Sequence, residues 1–283
     1  MTEWGLTVKT SVRFKVFLYF CAMLILVYSM FPIYWITISP LRGFTGFFED
    51  AGKWYPTGFD LTLFRNIWNE TNYPVYYANS FIVASATTLI TIILSTMMAY
   101  VLTRFRFIGR SLMLNAMLVG YMLPPLLLAI PMLGIFVSLG IDDTIAALTI
   151  SHIAITLPFG VWMLVSFFKT IPFELEESSW VDGASRLRSI AQVLMPLMLP
   201  GIISVAVFSF IVSFTDYTFG LMIVSSEQNK TIPIGLATIK ESITLHRGEL
   251  LAGAALIALP MVVLFSFVTK YFIRGLIAGA VKG

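Results

Sequence analysis

The sequence predicts an all-α integral membrane protein with six membrane-spanning helices. Of its 283 residues, 58% are hydrophobic and 12% are charged, whereas soluble domains are about 45–50% apolar and about 25% charged. The apolar residues are gathered in runs of about 20 or more, which is long enough to cross the hydrocarbon core of a bilayer. Because these runs do not alternate between apolar and polar residues, they predict helices rather than the strands of a barrel.

The apolar runs define six predicted spans within a single transmembrane domain, residues 1–283. The first span is longer than the apolar core of a signal peptide, which is about 7–15 residues, so we expect an uncleaved anchor. Pro124, Pro125 and Pro131 cluster in the third span, and interior prolines remove backbone hydrogen bonds, so a break is favoured there. The predicted spans are 14–38, 79–102, 112–139, 144–168, 194–224 and 250–273.

The distribution of charge predicts the orientation. Twelve of the 18 Lys and Arg residues lie in the two tails and in the loops after the second and fourth spans. Cytoplasmic segments are enriched in these residues, so both termini are predicted to be cytoplasmic. The expected location is the cell (inner) membrane, with multiple passes and with lipid as a contact. The net charge of +3 therefore reflects topology, and no nucleic-acid partner is expected.

The few cysteines and histidines argue against a metal or disulfide site. The single cysteine, Cys21, lies in an apolar run, so neither a disulfide scaffold nor a multi-cysteine metal site is expected. His152 has no His or Cys partner at ligand spacing, and a hydrogen-bonded structural role is favoured over metal binding. The sequence contains no His-Glu-x-x-His motif or comparable catalytic pair, which disfavours an intramembrane enzyme.

The connection between the fourth and fifth spans, residues 171–193, predicts a helix, a sharp turn and a second helix. Pro172 suits a first helical turn, and the three acids after it suit the positive end of the helix dipole. Gly183 can adopt the positive φ that ends many helices, and Ser185 can cap the next one. An alternative is an interfacial helix with Trp180 among the lipid headgroups. The acids disfavour an anionic leaflet and favour a protein groove as the partner.

This connection resembles the EAA loop of ABC importer permeases. A glutamate is followed by two small residues, a glycine comes six residues after the glutamate, and the hydrophobic stretch beyond it ends in Met-Pro. Two serines stand where the family usually has alanines. With the flanking segments 104–110 and 275–283, the pattern resembles the maltose-type branch, which imports carbohydrates. The motif residues are Glu177, Ser178, Ser179, Gly183, Met195 and Pro196.

The resemblance implies a coupling helix that docks in a groove of a cytoplasmic ATPase subunit. It also implies the partners: a second, non-identical permease subunit, two ATPase subunits and an extracytoplasmic solute-binding protein. This chain is expected to bind no cofactor and no metal, with ATP and magnesium on the ATPase subunits. The nearest approach to a phosphate-binding loop, residues 46–54, has the wrong spacing and lacks Ser or Thr after its lysine. The implied coupling residues are Glu177, Ser178, Ser179, Trp180, Val181, Asp182, Gly183 and Ala184.

Asp216 is the acid that the sequence places well inside a span. An acid at a helix centre costs about 2.5–3.5 kcal/mol on insertion scales, so it should face a partner or a water-filled cavity. By resemblance, Thr215, Asp216 and Tyr217 match a motif near the translocation path and are possible substrate-path residues. A structural polar contact is the alternative for Asp216.

The sequence leads to two competing functions. The first is a transport subunit, not an enzyme, that forms half of the translocation path of an ATP-driven importer and transmits ATPase closure through the coupling helix. Its substrate would be a sugar or a related solute, and a polyol, an oligosaccharide or a glycerol phosphate fits equally. The alternative is an autonomous ion-coupled secondary transporter or channel that uses Asp216.

Overall fold

Helices form most of the chain in the computed structural model, which describes residues 12–50, 52–55, 57–241 and 247–280. The prediction of an all-α protein is confirmed for this part. The ends of the predicted domain, residues 1–11 and 281–283, lie outside the described residues. The helices are α1 (Val12–Ile38), α2 (Gly43–Glu49), α3 (Thr62–Glu70), α4 (Tyr73–Arg104), α5 (Arg110–Met122), α6 (Pro125–Leu139), α7 (Ile145–Phe168), α8 (Glu174–Val181), α9 (Arg186–Ser189), α10 (Met195–Phe214), α11 (Thr218–Ile223), α12 (Ile232–Glu241) and α13 (Arg247–Ala280).

Five helical stretches in the described residues are long and apolar enough to cross a membrane. They are Val12–Ile38, Tyr73–Arg104, Ile145–Phe168, Arg186–Phe214 and Arg247–Ser266. The predicted third span, 112–139, is divided between α5 and α6, whose axes bend by 101° at the break. The described residues therefore contain six candidate spans if the bent pair counts as one span and five if it does not.

The bend between α5 and α6 follows from the Pro124-Pro125 pair. A residue that precedes proline is pushed out of the helical region, and Leu123 is extended, with φ −69° and ψ 135°. Pro124 is also extended, with ψ 132°. Pro125 then occupies the first turn of α6, where a missing N–H costs nothing because that group has no partner inside the helix. The predicted break is confirmed at this position.

A short π-helical segment, Ile190–Leu194, joins α9 to α10. A π-turn holds more residues per turn than an α-helix and is uncommon outside single-turn insertions. Ser189 before it and Met195 after it both have helical dihedrals, so the path from Arg186 to Phe214 stays helical throughout. We refer to Ile190–Leu194 as the π segment.

The chain divides into two compact units. One comprises residues 1–67 and 245–258, and the other comprises 68–244 and 259–283. In the first unit, Asn66 Nδ2 donates to Glu249 Oε1 at 3.1 Å, which joins α3 to the start of α13. Tyr34 near the end of α1 donates its hydroxyl to the Trp54 carbonyl at 2.8 Å.

Helices α4, α7 and α10 pack against one another in the second unit. Small and hydroxylated residues permit their close approach, as in many membrane bundles. A Cβ added at Gly160 of α7 would lie 3.1 Å from Ser95 Cβ of α4. The Thr91 and Thr156 hydroxyls are 2.9 Å apart across the same interface, a contact worth about 0.6 kcal/mol on average in membrane bundles. The apolar core includes Ala99, Leu102, Val161, Leu164, Phe168, Met198 and Val205.

Candidate functional site

The connection between α7 and α10 contains α8, whose end has the geometry expected from the sequence. Gly183 has φ +85°, a left-handed conformation that glycine adopts without a Cβ penalty. Its N–H donates to the Trp180 carbonyl at 3.0 Å, and the Ala184 N–H donates to the Ser179 carbonyl at 3.0 Å. This pair of bonds is a Schellman motif, which satisfies carbonyls left open at the helix end.

Ser185 starts the second helix of the connection, as predicted. Its Oγ accepts a hydrogen bond from the Arg188 N–H at 3.4 Å, and its backbone is extended. The chain then continues through α9 and the π segment into α10. The predicted sequence of helix, sharp turn and helix within 171–193 is thus the geometry observed.

One side of α8 faces the protein through Glu176, which is fully buried. Its carboxylate forms an ion pair with Arg104, the last residue of α4. Arg104 also donates to the Ile171 carbonyl at 3.2 Å. From the sequence, Arg104 contributes to the predicted orientation and to the family resemblance of segment 104–110, and its pairing with Glu176 was not predicted. The sequence contains one signal for this pair: Glu176 lies on a different side of α8 from Glu174 and Glu177, the two exposed acids.

The opposite side of α8 is open to solvent, and Trp180 is not its most exposed residue. The Trp180 ring is partly buried between the Phe173 ring, at 5.7 Å between centroids, and the Arg186 guanidinium, at 5.4 Å. Val181 is 87% exposed and Leu187 is 80% exposed. These two aliphatic side chains are the most exposed apolar residues of the connection, ahead of Phe173 and Leu175, while Trp180 packs against the turn.

The two serines at the alanine positions of the motif behave differently. Ser178 is exposed, and its hydroxyl donates to the Leu175 carbonyl at 3.1 Å. Ser179 Oγ donates to the Glu176 carbonyl at 2.7 Å and lies 2.7 Å from Ser189 Oγ. Ser189 is buried, so the second hydroxyl contact fastens α8 to the end of α9.

The other predicted site surrounds Asp216, where the structure breaks the expected fifth span. The sequence predicted one span over 194–224, whereas α10 ends at Phe214 and α11 begins at Thr218. Asp216 Oδ2 accepts hydrogen bonds from the Phe219 and Gly220 N–H groups, each at 3.1 Å. An aspartate that binds nearby backbone N–H groups competes with a continuous helix. Asp216 therefore lies at a helix junction and not within a helix.

The partner that the sequence required for Asp216 is His152. Its Nε2 is 3.2 Å from Asp216 Oδ2, and its Nδ1 is 2.7 Å from Ser213 Oγ. Thr87 Oγ1 of α4 lies 3.4 Å from the same Ser213 oxygen. The polar cluster of Thr87, His152, Ser213 and Asp216 joins α4, α7, α10 and α11.

This polar cluster matches the structural role favoured for His152. Both ring nitrogens have polar neighbours, and the ring is 1% exposed. No group of three or more His, Cys, Asp or Glu side chains within metal-binding reach occurs in the residues that the structure describes. Thr215 and Tyr217 flank Asp216 and point outward, with Tyr217 43% exposed. The three possible path residues are thus adjacent in the chain but face different surroundings.

A third polar group joins the loop before α7 to the segment after α11. Asp143 has φ +52°, and its Oδ1 accepts hydrogen bonds from the Ser225 N–H at 2.9 Å and the Ser226 N–H at 3.0 Å. Burial acts to raise the pKa of Asp143, but the hydrogen bonds from Ser226 and Ser225 outweigh it, so the pKa lies below its usual value. Sequence reasoning did not identify this contact, because the partners are more than 80 positions apart.

Comparison with known proteins agrees with these features. Residues 91–278 match the family model described as "Binding-protein-dependent transport system inner membrane component". An inner membrane ABC transporter permease protein of Escherichia coli is 33% identical over 268 residues, which cover 94% of this chain and 96% of the relative. The trehalose/maltose transport system permease protein of Thermococcus litoralis is 29% identical over 280 residues, which cover 97% and 99%.

The fold is also that of an ABC transporter. A crystal structure of a bacterial ABC transporter involved in the import of the acidic polysaccharide alginate contains a chain with a TM-score of 0.77 and 18% sequence identity. The alignment covers 93% of this chain and 99% of that one. The molecule has the helical fold of an ABC transporter permease. The chain belongs to the family of binding-protein-dependent transport system inner membrane components.

Membership in this family confirms several predictions from the sequence. The chain is a permease subunit of an ABC importer, a transport component rather than an enzyme, and a multi-pass protein of the inner membrane. The stated resemblance to ABC importer permeases is correct. The alternative of an autonomous ion-coupled transporter is not favoured, since the family belongs to ATP-driven systems.

Proposed function

We propose that this permease carries a sugar or a related solute and that α8, with the turn after it, couples the transport path to ATP hydrolysis. The observation that carries the coupling role is the Schellman turn at Gly183, which holds a short helix outside the bundle with its outward side free. The sugar assignment is supported by the name of the Thermococcus litoralis relative, whose solutes are trehalose and maltose.

In the proposed assembly, residues 177–184 dock in a groove on an ATPase subunit. Val181 supplies the apolar anchor, because 87% of its surface is open in the isolated chain. Glu177 and Asp182 are exposed acids beside it, which suit a groove with basic residues at its rim. A buried apolar centre with a polar rim is the usual anatomy of a protein interface. The side of α8 that carries Glu176 stays with the permease.

The remaining parts of the importer are assigned by the same proposal. A second, non-identical permease completes the path, two ATPase subunits bind ATP and magnesium, and an extracytoplasmic binding protein delivers the solute. Residues 1–283 form one transmembrane domain with both termini in the cytoplasm. The excess of Lys and Arg in the tails and in the connections at 104–110 and 169–188 supports this orientation.

The proposed substrate path passes the junction between α10 and α11. Thr215 and Tyr217 supply exposed side chains there, and an exposed aromatic ring suits stacking against a sugar. Asp216 is proposed to hold the junction in shape, since its carboxylate is directed toward His152 and the α11 backbone. Tyr217→Ala should therefore raise KM for the solute several-fold and leave complex assembly intact. Uptake by membrane vesicles of radiolabelled trehalose, maltose, glycerol and glycerol phosphate tests the substrate class.

Co-purification tests the coupling proposal. The affinity-tagged chain should bring down two ATPase chains for each permease pair from detergent-solubilised membranes. Val181→Asp, which places a charge at the apolar anchor, should reduce the recovered ATPase at least tenfold. Ser138→Ala is the control outside residues 177–184, because it removes only an exposed hydroxyl that bonds to the backbone of its own helix. Full recovery of the ATPase with Val181→Asp would contradict the proposed docking surface.

A further inference from the structure

Arg104 lies where three parts of the chain meet. Its guanidinium pairs with Glu176 of α8 and donates to the Ile171 carbonyl at 3.2 Å. It also lies over two aromatic rings, 5.9 Å from the centre of Phe168 at the end of α7 and 5.6 Å from that of Phe173 before α8. One side chain of α4 thus contacts the end of α7, the entry to α8 and α8 itself.

Because the Arg104–Glu176 pair is buried, separating its two charges is costly. The Glu176 side chain is 0% exposed and that of Arg104 is 10% exposed. A buried carboxylate without its cation pays the full cost of lost hydration, so breaking one partner is far more damaging than replacing both. The exposed acids Glu174 and Glu177 on the same helix have no such constraint. Glu176 therefore remains next to Arg104 as long as it stays charged and buried.

We infer that the Arg104–Glu176 pair is the positioning contact that makes α8 move as one body with the end of α4. When a bound ATPase displaces α8, the pair carries the displacement into α4, and α4 packs directly against α7 and α10. This inference rests on the proposed coupling role of α8, but it concerns a different side of the helix. Val181 and Glu177 face the ATPase, whereas Glu176 faces the bundle.

The contact with Ser189 has a different consequence. Ser179 Oγ and Ser189 Oγ hold α8 against α9 at 2.7 Å, and α9 leads through the π segment into α10. A displacement of α8 is thus transmitted to α10 through the covalent connection and to α4 through the Arg104–Glu176 pair. Loss of the ion pair should leave the connection to α10 intact, so that α8 moves without α4.

The test uses the full transporter with its ATPase, in nanodiscs, and spin labels at Leu175→Cys on α8 and Met97→Cys on α4. Cys21, the single cysteine, is replaced by serine in every variant. In the otherwise unchanged protein, the distance between labels should be the same with and without ATP. In Glu176→Gln, ATP should shift that distance by more than about 2 Å, the size of helix movements in switching proteins. Glu174→Gln and Arg106→Met are the matched controls.

The outcomes separate this inference from the docking proposal. Retained ATPase and an ATP-dependent shift in Glu176→Gln support the positioning role. Retained ATPase and an unchanged distance overturn it, while docking by α8 survives. If Glu176→Gln fails to accumulate, Arg104→Lys keeps both charges but loses the planar, multi-donor guanidinium. That variant should show a smaller ATP-dependent shift, and the swap Arg104→Glu with Glu176→Arg should restore part of the rigid link. No shift in Arg104→Lys also overturns the inference.

Discussion

His152 Nε2 lies 3.2 Å from Asp216 Oδ2, at the point where α7 passes the junction between α10 and α11. The same carboxylate accepts the Phe219 and Gly220 N–H groups. One acid therefore lies beside a histidine of a distant helix and accepts hydrogen bonds from the start of the next helix in the chain. An acid used in this way is occupied by structural contacts, in contrast to an acid that binds and releases a transported ion.

Replacement of Asp216 should separate the structural role from ion coupling. Asp216→Ala leaves the Phe219 and Gly220 N–H groups without their acceptor, which costs about 1–3 kcal/mol for a buried unpaired group. Asp216→Asn keeps one oxygen for the backbone and should lose less. The measurement is the midpoint of thermal unfolding in detergent together with solute uptake. Uptake abolished in a fully stable Asn variant would contradict the structural role and revive the ion-coupled alternative.

Gly183→Ala should weaken ATPase binding through the shape of the turn. The space around a Cβ at this position is empty within 4 Å, so the cost comes from the positive φ alone, at about 1–2 kcal/mol. The turn should open, and the amount of co-purified ATPase should fall. Gly134→Ala is the control, because Gly134 lies inside α6, also has no neighbour within 4 Å and has no positive φ. Equal ATPase recovery in the two variants would show that the turn geometry is unimportant for docking.

Asp143 should make the protein sensitive to acid. Its pKa is lowered in the folded state, so its hydrogen bonds add stability that is present above the unfolded pKa of about 3.9 and is lost as the pH falls through the folded value. The midpoint of thermal unfolding should be level near neutral pH and drop below about pH 4.

Asp143→Asn should remove part of this acid-dependent loss. Asparagine also tolerates a positive φ, so the backbone is preserved and only the titration disappears. Glu227, whose pKa is lowered by its hydrogen bond with Lys230 and a second one with Tyr76, titrates in the same range and accounts for a remaining slope. Unfolding midpoints measured from pH 7 to 3 should therefore fall less steeply in the variant. Parallel curves for the two proteins would refute the assignment.

Replacing both Pro124 and Pro125 by alanine should straighten the junction between α5 and α6. Without these rings, Leu123 regains access to helical dihedrals and the missing N–H donors return. We expect the 101° bend to decrease and solute uptake to fall, with the ATPase still bound. Spin labels at Leu112 and Leu139 would report the change as a longer distance. Pro131→Ala is the control, because Pro131 lies more than one turn after the start of α6. It should leave that distance unchanged.

The sequence was informative wherever local chemistry decides the structure. The turn at Gly183, the cap at Ser185 and the break at Pro124 each depend on the residue itself and its nearest neighbours. The turn and the cap lie at the predicted residues, and the break lies at Pro124 and Pro125, whereas Pro131, the third proline of the predicted cluster, lies inside α6. The family resemblance came from the same local pattern. Hydropathy also located the apolar stretches, because the bilayer imposes their length.

Contacts between distant residues were not predictable in this way. The pairing of Arg104 with Glu176 spans 72 positions, and that of Asp143 with Ser225 spans 82. A single sequence contains no record of which charges meet after folding. The break at Asp216 was missed for a related reason: the apolar run continues through it, and the carboxylate interrupts the helix only because His152 and the α11 backbone hold it there.

The π segment has a consequence for insertions and deletions. Each residue of an α-helix advances the chain by about 100° around its axis. Because the π segment holds about one residue more than an α-helix needs for the same turn, removal of one residue from Ile190–Leu194 would convert it to ordinary α-helix and leave α8 and α9 at nearly the same angle about the α10 axis. Removal of one residue from the α-helical part that follows, Met195–Phe214, would instead rotate everything before it by about 100°. The direction in which Val181 points should therefore tolerate a one-residue deletion within the π segment better than one within α10.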